Sequence, residues 1–175
     1  MSDWIQTFTG KRFYPLDPKV DDIDIFDIAH ALSLQCRFGG HCSDFYSVAQ
    51  HSCEVAFKVP PHLALAGLLH DAAEAYLCDI PSPVKRDERF AFYREAEDRL
   101  MEKICQKFNI HPSYMKDVKF ADEEVFGIEA RSLFPEEMVK QWTYLKPDSG
   151  ERITPVSSPA VARHGFLAIF AASNQ

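Results

Sequence analysis

Residues Leu63–Arg86 read LALAGLLHDAAEAYLCDIPSPVKR. The stretch begins as an apolar helix, then sets His70 and Asp71 directly after Leu68 and Leu69, with Glu74 and Asp79 following. A buried carboxylate without a partner is costly, so in a core it neutralises or finds a cation. The apolar spacing predicts a helix over about 62–77. Pro81 and Pro83 then force an extended turn.

The rest of the chain follows the same helical period. From Asp21 on, Ile25, Ile28, Ala29 and Leu32 share a face behind an acidic start that suits the helix dipole. RFGGHCSD (37–44) is a loop, flexible at Gly39-Gly40. A second helix is expected over about 46–58, stopped by Pro60-Pro61. A long amphipathic helix follows over about 87–108, with Ala96, Leu100, Ile104 and Phe108 on its apolar face, and another over about 112–133. KPDSGERITPVSSP is a loop, with Ser158 as N-cap and Pro159 opening a last helix that runs to about Ala172. At the start, WIQTFTGKRFYPLDP alternates around Thr9-Gly10 and reads as a short β-hairpin. The expected architecture is a single all-α domain over residues 1–175, about six helices with a small N-terminal β-hairpin. Trp4 and Phe8 in the hairpin read as packing residues rather than a base-stacking platform.

The composition narrows the function classes. With 175 residues, 46% hydrophobic and 26% charged, the chain can bury a real core. A net charge of −7 argues against nucleic acid as the main partner, because phosphate backbones are held by excess Lys and Arg. A small phosphorylated ligand stays compatible. MSDWIQTFTG shows no signal pattern and no apolar run reaches the ~20 residues of a membrane span, so a cytoplasmic protein is expected. The five cysteines, 36, 42, 53, 78 and 105, form no CxxC pair and read as reduced buried thiols.

Three helices each carry one polar anomaly. Val48, His51 and Val55 share a face; His70 and Asp71 follow two leucines; Val118, Asp122, Val125 and Glu129 share a face, so Asp122 lies beside the apolar stripe. Singly, His51 reads as a satisfied core histidine and Asp122 as an exposed acid. Jointly, a divalent metal bound by two imidazoles and two carboxylates satisfies them all. Such a mixed set suits Co, Mn, Zn or Fe and leaves positions open for water and substrate. Glu74 stands one turn on from His70 and Asp71, where a proton-handling carboxylate would go, and Asp79 follows in the proline-fixed loop. Both read equally as solvated charge. Phosphate-ester hydrolysis would also need cations; Arg37 and Lys85 are candidates, or surface charges.

The order His51, His70-Asp71, Asp122, with apolar residues before the His-Asp pair, resembles the HD superfamily of metal-dependent phosphohydrolases. RFGGHCSDFYSVAQHSCEVA and AGLLHDAAEAYLCDIPSPVK resemble the HD-domain 5′-deoxynucleotidases and, more closely, the small phage-type HD phosphohydrolases. Some of the latter are dATP triphosphohydrolases. The likeness covers about 24–85 plus the Asp122 helix. It implies an HD-domain helical bundle in which His51, His70, Asp71 and Asp122 hold one divalent transition metal. It assigns water activation or proton transfer to Glu74 and Asp79 and phosphate binding to Arg37 and Lys85. Phe38 stands where those deoxynucleotidases carry a Trp that crowds the sugar 2′ position. Gly40 stands where a bulkier residue could police the purine 2-position, and His41 could reach phosphate or hold a structural hydrogen bond.

The implied activity is hydrolysis of deoxynucleoside 5′-phosphates, dATP and other deoxyadenosine phosphates first. It would release the deoxynucleoside plus triphosphate or phosphate, and so trim the dNTP pool. The resemblance also implies a homo-oligomer, dimer or higher, in the cytoplasm (the host's, if phage-encoded). Two alternatives share the four ligands or the fold: an HD phosphodiesterase or (p)ppGpp hydrolase, and a non-catalytic nucleotide-binding module.

Overall fold

The computed structural model describes residues 3–173. A two-stranded antiparallel hairpin opens it, β1 Ile5–Gln6 against β2 Arg12–Phe13, turning at Gly10 with φ +85°. Its tip is tied down by a buried acid. Asp27 accepts the Thr9 N–H at 2.6 Å and the Thr9 hydroxyl at 2.9 Å. Phe13 is fully buried and stacks on Tyr76. Phe8 is exposed and stacks on His30, while Arg12 lies over the Trp4 ring.

Helix α1, Ile25–Leu34, starts where Asp24 accepts the Phe26 N–H at 2.9 Å, a cap worth about 1 kcal/mol. Ser47 caps α2, Val48–Lys58, in the same way through Gln50 N–H. Helix α2 is the centre of the domain: eight of its 11 residues are buried, as expected of a helix packed on all sides. It contacts α1, α3 (Ala64–Leu69), α7 (Tyr114–Leu133) and α9 (Pro159–Ser173). The longer helices α6, Ala91–Lys107, α7, Tyr114–Leu133, and α9, Pro159–Ser173, complete the bundle. Ala96, Leu100 and Ile104 are buried, and Phe108 packs edge-on against Phe170. Gln50 pins the long loop before α9, donating to Thr154 O and accepting from Val156 N–H, both at 2.9 Å. The fold is all-α with a small N-terminal hairpin, as the periodicity predicts. No helix among the described residues is long and apolar enough to cross a membrane.

Three local expectations change. The third helix is not continuous over 62–77: it divides into α3, Ala64–Leu69, and α4, Glu74–Leu77. Between them the amides of Ala72, Glu74, Ala75 and Tyr76 bond three residues back instead of four. The cause is His70, whose Nδ1 donates to Gly67 O at 2.7 Å and so takes the acceptor that a regular helix would offer to Asp71. The proline turn also differs. After Cys78, at φ +71°, the chain re-forms one helical turn, α5, Ser82–Lys85, with Pro81 at its cap. Proline is tolerated there because first-turn amides lack helical partners anyway. A last single turn, α8, Glu136–Val139, follows α7. Finally, only Cys53 and Cys105 are buried. Cys36 and Cys78 are exposed, because they sit in loops at helix ends, and Cys42 is half-buried; all five are free.

Gly67 is where α3 crosses α2. A Cβ there would lie 3.0 Å from Val59 Cγ2 and 3.1 Å from Ala56 Cα. Gly67→Ala gains helix propensity but forces the two helices apart, so a net loss of about 1–2 kcal/mol is expected. Thermal unfolding would show it as a Tm lower by roughly 2–8 °C. An unchanged or higher Tm would mean that the crossing is loose.

Candidate metal centre

Helix α2 carries His51 into the core with no exposed surface, and the tightened turn after α3 brings His70 and Asp71 beside it. The Nε2 atoms of His51 and His70 are 3.2 Å apart. Asp71 Oδ2 is 3.2 Å from His70 Nε2 and 3.5 Å from His51 Nε2. Asp122 Oδ1, from α7, is 3.2 Å from His51 Nε2 and 3.8 Å from His70 Nε2. Donors on a shell of 2.0–2.2 Å metal bonds are separated by about 3.0–3.5 Å, so the spacings among His51, His70 and Asp71 match one cation, with Asp122 beside the same two imidazoles. The donor atoms of His51, His70 and Asp71 form a cluster that can hold a metal ion.

The outer contacts of the two imidazoles agree with ligation. His51 donates Nδ1–H to Glu129 Oε1 at 2.6 Å, and His70 donates Nδ1–H to Gly67 O. Each Nε2 lone pair is thereby turned to the same point, the arrangement that orients metal-bound histidines. Glu129 is fully buried and also accepts from Arg37 Nη2 at 3.0 Å. Arg37 Nη1 lies 3.8 Å from Asp71 Oδ2. Arg37 N–H donates to Tyr46 O, and Val48 N–H to Gln35 O, which fixes the loop on the start of α2.

Around this centre the carboxylates fall into two groups. Burial would raise Asp71, but the charges of His70, His51 and Arg37 hold it far below the usual range. Asp122 and Glu129 are likewise lowered against the pull of burial, by His51 and by Arg37 respectively. Glu74 is pushed well up by its own burial and by the charges of Asp71 and Asp79, and Asp79 is raised by burial and Asp71 despite Arg37. Glu74 Oε2 has no hydrogen-bond partner among the described residues. Lys85 Nζ is 3.8 Å from Glu74 Oε1 and is paired at 2.6 Å with Glu97 on α6.

Of the four expected ligands, His51, His70 and Asp71 form one cluster and Asp122 borders its two imidazoles, with Glu74, Asp79, Arg37 and Lys85 in the surrounding charge network. Phe38 lies beside Arg37, with its ring 5.4 Å from the guanidinium carbon, and packs on Phe126 and Phe134. Gly40 and His41 are exposed, and the His41 amide caps the turn by donating to Phe38 O. Three residues take part without a role assigned from the sequence. Glu129 is placed by its spacing on the α7 face of Asp122, two turns away, but its pairing with His51 and Arg37 is not. Glu97 is one of many charges on α6 and carried no signal. Gln35 holds the Asp79 segment, donating to Glu74 O at 2.9 Å and accepting Asp79 N–H at 3.1 Å, a contact no local pattern predicts.

Two measurements follow from this geometry. Burial would lower the His70 imidazole, yet Asp71 and Asp122 outweigh it and raise it from 6.5 to about 9. A cation must displace that proton, so divalent-metal affinity rises with pH up to about 9, near tenfold per unit for one proton. Calorimetric titration with manganese at successive pH values would show it, and a flat profile would contradict it. Glu129→Gln removes the charge that pairs Arg37 and orients His51. A loss of roughly 10–100-fold in metal affinity and about 3 kcal/mol in stability is expected. Denaturant unfolding and metal titration read the two effects separately.

No family model matches the chain. It is 44% identical over 130 residues to the uncharacterized protein YfdR of Escherichia coli strain K12, covering 74% of this chain and 72% of that one. It is 35% identical over 137 residues to the uncharacterized protein RCAP_rcc00048 of Rhodobacter capsulatus, covering 73% and 69%. The chain belongs to the family of these proteins.

Proposed function

We propose that the protein is a metal-dependent phosphohydrolase of the HD type, acting on deoxynucleoside 5′-phosphates, dATP and other deoxyadenosine phosphates first. The observation that carries this reading is the meeting of His51, His70, Asp71 and Asp122 within 3.2–3.8 Å of one another's histidine nitrogens, with phosphate-type cations beside them. A Co, Mn, Zn or Fe ion held by these four residues would supply positive charge to a phosphate oxygen and acidify water.

The chain's own groups fill the remaining roles. Arg37 spends Nη2 on Glu129 and keeps Nη1 for a non-bridging oxygen. Lys85 is steadied by Glu97 and retains further donors for a second oxygen. Glu74, kept protonated by burial and neighbouring carboxylates, is suited to pass its proton to the leaving oxygen. Asp79, partly buried and raised, is suited to accept a proton from the attacking water. In this reading the enzyme works in the cytoplasm on the dNTP pool, as a dimer or higher oligomer.

Chromatography of products from each dNTP and dNMP, with manganese or cobalt, tests the proposal. Deoxynucleoside plus phosphate or triphosphate is expected, and Asp71→Asn should abolish it, a loss of at least about 10³-fold. Intact nucleotides throughout would reject the reading. Cleavage of a cyclic dinucleotide alone would transfer it to phosphodiesterases.

A further inference from the structure

Next to the metal cluster stands a group of aromatic rings that the chemistry above does not use. Phe126 lies four residues, about one helical turn, beyond Asp122 on α7 and therefore on the same face. Its ring is 5.8 Å from Phe38, 5.8 Å from Trp142 with planes 9° apart, and 6.2 Å from Tyr144. Phe38, Phe126 and Trp142 are half-buried, and Tyr144 is 69% exposed. The group is thus a wall open to solvent and not part of the core. It begins at Arg37, whose guanidinium reaches both Phe38 and Asp71.

The backbone gives an independent sign. Phe38 sits at φ +56°, ψ +26°, a conformation that bulky residues avoid. It is held there by its own ring contacts and by the Arg37 anchorage. Backbone strain of this kind concentrates at ligand sites.

We propose that this wall binds the base of the nucleotide: Phe126, with Phe38 and Trp142, stacks a planar heteroaromatic ring while the phosphate lies at Arg37 and the metal cluster. This rests on the proposed nucleotide reaction and adds the recognition element it lacks. Stacking is tolerant of base identity, because every base presents a π-face. The wall therefore separates nucleotides from sugar phosphates, and selects less among the bases.

Two ligands test it, dAMP and 2-deoxyribose 5-phosphate, which differ by the base alone. The chain has two tryptophans, so Trp4→Phe leaves Trp142 as the reporter. In manganese-loaded protein, dAMP should change Trp142 fluorescence and bind more tightly than the sugar phosphate. Phe126→Leu, which keeps the bulk and removes the ring, should weaken dAMP about tenfold and the sugar phosphate less than twofold. Phe38→Leu repeats the comparison if Phe126→Leu fails to fold. Equal weakening of both ligands, or none for dAMP, overturns the base site. Base-dependent binding without hydrolysis of either ligand would leave the wall standing and reject the phosphohydrolase. Absence of binding by either ligand would reject both.

Discussion

Everything near the metal cluster depends on one buried carboxylate. Glu129 has no exposed surface and lies among the buried α7 residues Ile128, Ala130 and Leu133. An isolated charge there would be prohibitive. It is held because one oxygen accepts from His51 and the other from Arg37. That double pairing joins three distant pieces of chain: α7, the central α2, and the loop after α1. It also sets the tautomer of His51, so its Nε2 faces the same point as His70, Asp71 and Asp122. Without Glu129 the Arg37 side chain loses its anchor and the His51 ring loses the acceptor that sets its face, while the loop backbone stays bonded to the start of α2.

The same cation arrangement separates the acids. Asp71, Asp122 and Glu129 stand in direct contact with imidazole or guanidinium groups and stay ionised. Glu74, buried, and Asp79, partly buried, are raised by desolvation and by neighbouring carboxylates despite Lys85 and Arg37, and they hold protons more tightly. Two populations of carboxylate with opposed pKa directions thus stand side by side, which is what the proposed reaction asks of its ligands and its proton carriers. The separation is achieved by a shift of one helical turn: Asp71 and Glu74 are three residues apart on the broken third helix.

Much of this was legible in the sequence, for a definite reason. His51, His70 and Asp71 stand in apolar stripes where their cost is visible, and Asp122 shows at the stripe's edge. The global helix order follows from the 3.6-residue period and the proline and serine boundaries. What stayed hidden depends on contacts between distant segments. The break between α3 and α4 comes from the His70 side chain taking the Gly67 carbonyl, a choice made only because the ring must also face His51. Gln35 joins α1 to the Asp79 segment across 44 residues of chain, and Glu97 reaches Lys85 from a helix dense with other charges. Glu129 lies between these cases: its spacing from Asp122 was plain, but its importance depends on Arg37, 92 residues earlier.

The loop of Arg37 and Phe38 shows how the two requirements are met together. A left-handed Phe38 costs roughly 1–2 kcal/mol, which a free loop would release by turning over. It cannot, because the residue before it is bound to Glu129 and Tyr46 O, and one side of its ring packs on Phe126 and Phe134. The glycines at 39 and 40, both at positive φ, let the chain leave the turn at once. The buried ion pair thus holds the guanidinium against the metal ligands and, one residue on, holds an aromatic ring against the neighbouring wall. In the proposed reading the phosphate contact of Arg37 and the flat-ring contact of Phe38 are therefore adjacent residues of one turn, and the ion pair that holds the first also holds the second.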